Sequence, residues 1–183
     1  MGTVENPAMR SVDGVLSVYT GSDFREVTGN REIFVPANMF LTHTGSAALT
    51  GTAAGSGGIP GWAMDKTTDE VLSAVLELPD SWSGFNASIV WSNASTGAGG
   101  VRWNLNYESL AIGAAPGAGT DGSATGTAST TAFLTVATAV VSGGLVTPGN
   151  LFRLQVSRDA DHAGDTVDND ASFHGVRLVR VIV

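Results

Sequence analysis

A regular alternation of apolar and polar residues between positions 87 and 107 constrains the fold of this chain more than any other feature. The segment reads ASIVWSNASTGAGGVRWNLNY, with a tryptophan-bearing stretch on each side of a small, glycine-rich linker. In the second stretch, Val101, Trp103 and Leu105 alternate with polar residues, which indicates a strand with one buried face and one solvated face. Two tryptophans, which bury roughly 150–250 Å² each, would anchor a core. The pattern predicts a β-hairpin in which Trp91 and Trp103 are structural residues.

Similar patterns recur along most of the chain after residue 31. The expected strands fall within 32–42, 62–64, 70–78, 132–141, 151–158 and 173–183, with a helix as the alternative for 68–77. Pro36 interrupts the first of these, which implies an edge position or a bulge. The expected loops and turns are the Gly/Ala/Ser/Thr-rich stretches 45–61 and 111–131, Gly143-Gly144 and 148–150. We therefore predict an all-β protein, an antiparallel β-sandwich or jelly roll of about eight strands with long Gly/Ala/Ser/Thr-rich loops.

The first 31 residues are less regular, and we predict that they form an N-terminal arm beside a jelly-roll domain at 32–183. The arm carries a possible short strand and several apolar side chains that could contact the domain or another subunit. These interface candidates are Val4, Val15, Leu16, Val18 and Tyr19. A partly ordered tail is the alternative.

Composition excludes several classes of function. Seventeen acidic residues against nine basic ones give a net charge of −8, and such a surface repels the phosphate backbone of nucleic acids. The chain has no cysteine, so thiol catalysis, disulfides and thiolate metal sites are excluded. No apolar run reaches about 18 residues, so no membrane partner is expected. The glycines of 117–122 are not followed by a helix-forming sequence, so we expect no cofactor.

The aspartate-rich segment 159–170 is the best candidate for a site. Carboxylates at this density could hold calcium, for which Asp159, Asp161 and Asp165 are candidates, although the spacing is not that of an EF-hand. Alternatively, Asp165 could pair with Arg158 across the base of the loop, which would make both residues structural. Simple solvation of the aspartates is the third interpretation.

Catalytic patterns are weak, and we predict that the protein is not an enzyme. The three histidines, His43, His162 and His174, lack the spacing of a zinc site. No G-x-S-x-G motif is present, although spacing alone cannot exclude a Ser-His-Asp triad. Glu77 and Glu108 fall on outward faces, where solvation is their ordinary role.

Several features together resemble the β-jelly-roll structural proteins of tailed bacteriophage virions. They are the Leu78-Pro79 stop followed by Trp82, the strand 89–91, and the return 100–103. The closing pattern is Arg158-Asp159-Ala160, then Asp165-Thr166, then the strand 175–178. The resemblance covers residues 32–183 and carries no catalytic residues.

The resemblance implies a capsid decoration (cement) protein, assembled in the host cytoplasm and located on the virion surface. Such a protein would form a homotrimer and bind the major capsid protein. A head-fibre protein is another role that the same resemblance implies. The alternative is a tail-fibre or receptor-binding tip module that recognises a host surface glycan, for which Trp62 or Trp82 would be the exposed aromatics.

Overall fold

The computed structural model describes residues 9–12, 15–19, 24–26, 32–44, 48–50, 59–94, 96 and 98–181. These residues form fourteen strands and one 3-10 turn, Ala37–Met39. The strands are β1 (Met9–Val12), β2 (Val15–Tyr19), β3 (Phe24–Glu26), β4 (Glu32–Pro36), β5 (Leu41–Thr44), β6 (Ala48–Thr50), β7 (Gly61–Met64), β8 (Glu70–Glu77), β9 (Gly84–Asn93), β10 (Gly100–Leu110), β11 (Thr120–Thr127), β12 (Val136–Leu145), β13 (Leu151–Arg158) and β14 (Ala171–Arg180). The predicted all-β class is confirmed, and the predicted strand at 70–78 prevails over the helix.

Two antiparallel sheets form the sandwich. The first sheet has the strand order β11-β10-β13-β8-β5. The second has the order β12-β9-β14-β7-β6, and β4 also pairs with β14. A separate small sheet has the order β1-β2-β3. The predicted antiparallel sandwich is therefore confirmed, with more strands than the eight or so expected because several are only three to five residues long.

The core lies between the two sheets and consists of the inward residues of both. Phe85 of β9 contacts Phe152 of β13 edge to face, with ring centroids 5.1 Å apart. Trp91 of β9 meets Trp103 of β10 at 5.9 Å. Both tryptophans are fully buried, as the alternation predicts. Aromatic pairs of this kind stabilise a sandwich beyond their buried area.

The predicted hairpin is wrong, because β9 and β10 belong to different sheets. β9 pairs with β12 and β14, whereas β10 pairs with β11 and β13. The chain therefore passes from one sheet to the other between Asn93 and Gly100. Alternation specifies which face of each strand is buried, but it does not specify the neighbouring strand. The two tryptophans face each other across the core instead of lying side by side.

Three segments that were predicted as loops or turns lie partly or wholly in strands. β6 lies within the predicted loop 45–61, and β11 lies within the predicted loop 111–131. Gly143 and Gly144 lie inside β12, where the register against β9 shifts, and Gly143 has a φ of 67°. Glycine accepts that left-handed backbone at low cost, so the pair makes a bulge instead of a turn.

Several strand bounds differ from the predicted ones. β12 is displaced by four residues from the predicted 132–141, β14 begins two residues before the predicted 173, and the 3-10 turn divides the predicted strand 32–42 into β4 and β5. The prediction for Pro36 is confirmed in its edge form. β4 ends at Pro36 and lies at an edge beside β14, as the missing N–H of proline requires. In the N-terminal region, β2 coincides with the predicted short strand. Val4 lies outside the described residues, and the contacts of Val15, Leu16, Val18 and Tyr19 stay a prediction.

Candidate functional site

A polar groove of about 480 Å³ lies on the outward face of the first sheet. Its floor is made by two rows of side chains that cross four neighbouring strands, β11, β10, β13 and β8. The first row is Ser123, Asn104, Ser157 and Val71, and the second is Asp121, Asn106, Gln155 and Ser73. Members of a row are direct partners in the register, so the strand spacing of about 4.8 Å sets the distance between them.

The buried core fixes the direction of these side chains. Along β10, Val101, Trp103 and Leu105 are fully buried. Asn104 lies between Trp103 and Leu105, and Asn106 follows Leu105, so both must point out of the sandwich. The floor is thus carried by strands whose opposite face forms the buried core, which is where a preorganised binding surface is expected.

Hydrogen bonds orient part of the floor and leave the rest available. Asn106 Nδ2 donates to Asp121 Oδ1 at 2.8 Å, and Gln155 Nε2 donates to the Ser73 hydroxyl at 3.2 Å. Within the described protein, Asn104 Oδ1, Gln155 Oε1 and the Ser157 hydroxyl form no hydrogen bond. The groove therefore presents amide and hydroxyl groups that can bind a hydroxyl-rich molecule.

The first wall of the groove is the segment 114–119, between β10 and β11. Asn106 Nδ2 donates to the carbonyl of Ala118 at 2.8 Å. Glu108 accepts a hydrogen bond from the backbone N–H of Gly117 at 2.7 Å, and Arg153 donates to the Gly117 carbonyl at 3.1 Å. Glu108 and Arg153 also form an ion pair at 2.8 Å, and their side chains are only 17% and 15% exposed. These residues point outward, so the segment above them accounts for their low exposure.

The second wall is the aspartate-rich segment, which leaves β13 and crosses towards β11. The backbone N–H of Asp159 donates to the carbonyl of Arg102 at 3.0 Å. At the far side, a Cβ atom on Gly164 would lie 2.9 Å from the hydroxyl of Thr125 in β11. The wall is anchored by the predicted pair of Arg158 and Asp165, whose Nη2 and Oδ1 atoms are 2.7 Å apart in a fully buried setting.

The calcium candidates do not come together as predicted. Asp165 forms an ion pair with Arg158. Asp159 and Asp161 lie beside Asp69 instead, with one oxygen of each carboxylate within 4.8 Å of the others. Asp69, which the sequence analysis did not single out, precedes β8 and also accepts a hydrogen bond from the N–H of Ala160. Carboxylate oxygens are the ligands that calcium prefers, so calcium binding here stays a prediction for Asp159 and Asp161.

Two nearby aspartates have pKa values below their ordinary range. Hydrogen bonds from the hydroxyl and the backbone N–H of Thr67 lower the pKa of Asp65. The ammonium group of Lys66, 2.7 Å from Asp168 Oδ1, lowers the pKa of that carboxyl by hydrogen bonding and by its charge. Both carboxylates stay ionised near neutral pH and add to the acidity of this end of the sandwich.

The histidines and glutamates form no catalytic arrangement among the described residues. His174 Nε2 lies 2.8 Å from the Ser92 hydroxyl, but Ser92 is 0% exposed and cannot reach a substrate. Glu70 is buried and accepts a hydrogen bond from the N–H of Asp65. His162 Nδ1 accepts a hydrogen bond from the N–H of Gly164. The contact between Ser92 and His174 is therefore structural, because no substrate could reach the buried hydroxyl.

The expected aromatic contacts for a glycan are not where the sequence analysis placed them. Trp82 is buried at 1% exposure, and Trp62 is half-buried with its Nε1 bound to the Ala37 carbonyl at 2.8 Å. None of the described residues that line the groove is aromatic. A ligand in this groove would be held by hydrogen bonds instead of ring stacking.

The groove itself was missed because the outward residues of β10 were interpreted as plain scaffold. The available signal was the matching alternation in β13, where Gln155 and Ser157 are also polar and outward. Only the register shows that these residues and Asn104 share one surface.

Among the described residues, none belongs to a helix that is long and apolar enough to cross a membrane.

Comparisons by sequence and by structure give different results. No protein-family model matches the sequence, and neither does any curated protein. Among solved structures, the fold resembles the CBM36-1 domain of a multidomain xylanase from the hindgut metagenome of Trinervitermes trinervoides. That match has a TM-score of 0.54 and 9% identity, and it covers 83% of this chain and 99% of that one.

Two family 35 carbohydrate-binding modules give similar values. The CBM35 of Abf62 from Cellvibrio japonicus matches with a TM-score of 0.56 and 9% identity, covering 82% of this chain and 94% of that one. The module from Clostridium thermocellum matches with a TM-score of 0.51 and 12% identity, covering 82% and 98%. At these identities the likeness shows a shared β-sandwich jelly-roll fold.

The capsid-decoration function predicted from the virion resemblance is therefore wrong. The jelly-roll part of that resemblance is confirmed, but the structural neighbours are carbohydrate-binding modules and not virion proteins. The misassignment arose because the strand spacing and turn chemistry of a jelly roll are common to many unrelated proteins, and function depends on the site that each one carries.

Proposed function

We propose that this protein is a non-catalytic carbohydrate-binding module that holds its ligand in the polar groove. The observation that supports the proposal most directly is the floor of outward amides, hydroxyls and one carboxylate on a rigid sheet. Sugars offer many hydroxyl groups, and amide and carboxylate side chains can each exchange hydrogen bonds with them. The fold shared with carbohydrate-binding modules supports the same assignment.

The charge of the groove favours an uncharged glycan. Asp121 belongs to the floor, Asp159 Oδ2 lies 3.4 Å from Asn104 Nδ2, and the whole chain carries a net charge of −8. The guanidinium group of Arg102, which donates to the Ser123 hydroxyl, offsets one of these charges, and Arg153 is neutralised by its ion pair with Glu108. An acidic sugar would be repelled by this surface. Glycan recognition was the alternative in the sequence analysis, and the proposal retains it without the tail-fibre setting.

The proposal is tested by titrating the protein with soluble neutral polysaccharides in a calorimeter, using glucan, xylan, mannan and galactan. Asn104→Ala and Gln155→Ala each remove a floor amide, and each hydrogen bond to a ligand is worth about 0.5–1.5 kcal/mol. We expect each variant to weaken binding by about 2- to 13-fold, and the double variant to bind more weakly than either. Binding should be exothermic, because hydrogen bonds dominate the contact.

Asn38→Ala is the matched control. Asn38 is an exposed asparagine in the 3-10 turn between β4 and β5, and it does not line the groove. The control should bind like the unmodified protein. Equal losses in Asn38→Ala and Asn104→Ala, or no binding by the unmodified protein, would contradict the proposal.

A further inference from the structure

The shape of the groove limits the direction in which a ligand can lie in it. Its two walls stand at opposite ends of the strands. They are segment 114–119 and the first part of the aspartate-rich segment, residues 159–166. One wall rests on Glu108 and Arg153, and the other spans from Asp159 to Gly164. The walls therefore limit the groove along the strand direction and leave it running across the strands.

Among the residues that the structure describes, none closes either end of the groove. At one end, β11 is the edge of its sheet, and Asp121 and Ser123 are exposed. At the other end, Val71 is half-buried, and Leu41, which lies across from Ser73 on the last strand, is 73% exposed. High exposure at Leu41 means that none of the described residues covers the floor beyond β8.

The length of the floor exceeds what one sugar ring needs. Four strands at about 4.8 Å spacing give roughly 14 Å between the outer two, and the fifth strand extends this to about 19 Å. Polar side chains repeat along the first three strands in both rows and reach Ser73 of β8 in the second row, whereas the floor becomes apolar at Val71 and Leu41. A ligand that is itself a linear repeat can use all of these partners at once.

We infer that the groove binds an internal stretch of a linear, uncharged polysaccharide that lies across the strands, and not the end of a chain. This inference rests on the proposed function and adds the class of ligand and its direction. An open-ended groove lets the polymer continue past both edges of the floor. A pocket that recognises a chain end would need a closed end, and the described residues do not provide one here.

The first test is the dependence of affinity on ligand length. The probes are β-1,4-linked xylo-, manno- and cello-oligosaccharides of two to six units and their soluble polymers, titrated by calorimetry. We expect affinity for the recognised series to rise at least tenfold from two units to five. Borohydride reduction of the terminal sugar should change the dissociation constant of the longest oligosaccharide less than twofold.

The second test closes one end of the groove. Val71→Trp places a bulky ring on the sheet surface at the β8 end of the first row. Val75→Trp is the control, because Val75 is on the same strand and the same face, is 53% exposed and does not line the groove. Val71→Trp should remove most of the gain from two to five units and leave disaccharide binding in place, whereas Val75→Trp should bind like the unmodified protein.

Two results separate failure of the inference from failure of the proposed function. Full affinity for a mono- or disaccharide, or loss of binding after terminal reduction, would overturn internal binding and leave carbohydrate recognition intact. A complete lack of binding to every oligosaccharide and polymer would overturn the proposed function and the inference with it.

Discussion

At the scale of single residues, Arg158 anchors one wall of the groove. Its Nε and Nη2 atoms donate to the two carboxylate oxygens of Asp165 at 2.9 and 2.7 Å. The same guanidinium group also donates to the carbonyls of Met64, Asn169 and Val167. A fully buried charge is tolerated only when it is compensated in this way. Arg158 thereby fixes the segment that forms the second wall.

Loss of this pair should destabilise the whole domain. Asp165→Ala leaves the guanidinium group buried without its counter-charge, so we expect the free energy of unfolding to fall by about 3–5 kcal/mol. Urea denaturation followed by tryptophan fluorescence measures the change. Asp168→Ala is the control from the same segment, because its side chain is 98% exposed. Its stability should change little, since the ion pair that it forms with Lys66 is exposed to solvent. Similar stabilities for the two variants would show that Arg158 does not need Asp165.

At the scale of elements, β11 was absent from the prediction because its inward positions carry almost no apolar bulk. Gly122 and Gly126 occupy inward positions on either side of Ala124. A Cβ atom on Gly122 would collide with the carbonyl of Val140, and one on Gly126 would collide with the Thr138 hydroxyl. The glycines therefore let β11 lie directly against β12 of the other sheet, which closes one side of the sandwich.

Adding a methyl group at this contact should separate the two strands. Gly126→Ala would place its Cβ against Thr138 and 3.0 Å from Cζ2 of Trp91, and overpacking of this kind costs about 1–3 kcal/mol. Thr127→Ala, at the next residue on the exposed face of the same strand, is the control and should change stability little. Chemical denaturation of the pair gives the comparison. If the glycine variant is as stable as the control, close approach of β11 and β12 is not required.

At the scale of the whole molecule, the last strand holds the second sheet together. β14 pairs with β9 on one side and with both β4 and β7 on the other. It also supplies Phe173, Val176 and Leu178 to the core, all fully buried. The sandwich is thus completed only when the end of the chain is in place.

Truncation after Asp170 should abolish cooperative folding. The shortened chain loses the central strand and exposes the inward faces of β9 and β4, so neither sheet can form a closed core. Circular dichroism during thermal denaturation and the dispersion of amide proton resonances report the outcome. Removal of only residues 182 and 183 is the control and should leave a cooperative transition. A cooperative transition in the longer truncation would contradict the central role of β14.

The sequence by itself determined which side chains are buried and which are solvated in the strands with regular alternation. Alternation in β10 and β13 identified the inward residues Trp103, Leu105 and Val156, because a strand turns successive side chains to opposite faces. It also indicated the all-β class, limited Pro36 to an edge position or a bulge, and offered the pairing of Arg158 with Asp165 as one of three alternatives. These features depend on local geometry or on residues close together in the chain.

Only the tertiary structure decided which strands are neighbours, and the candidate site depends on that choice. Alternation could not show that β9 and β10 lie in opposite sheets, because both arrangements bury the same faces. Alternation could not identify β11, because its inward positions include glycines that allow close contact with β12. The groove needs Asn104, Ser123 and Gln155 on three adjacent strands, and register across a sheet is set by long-range packing.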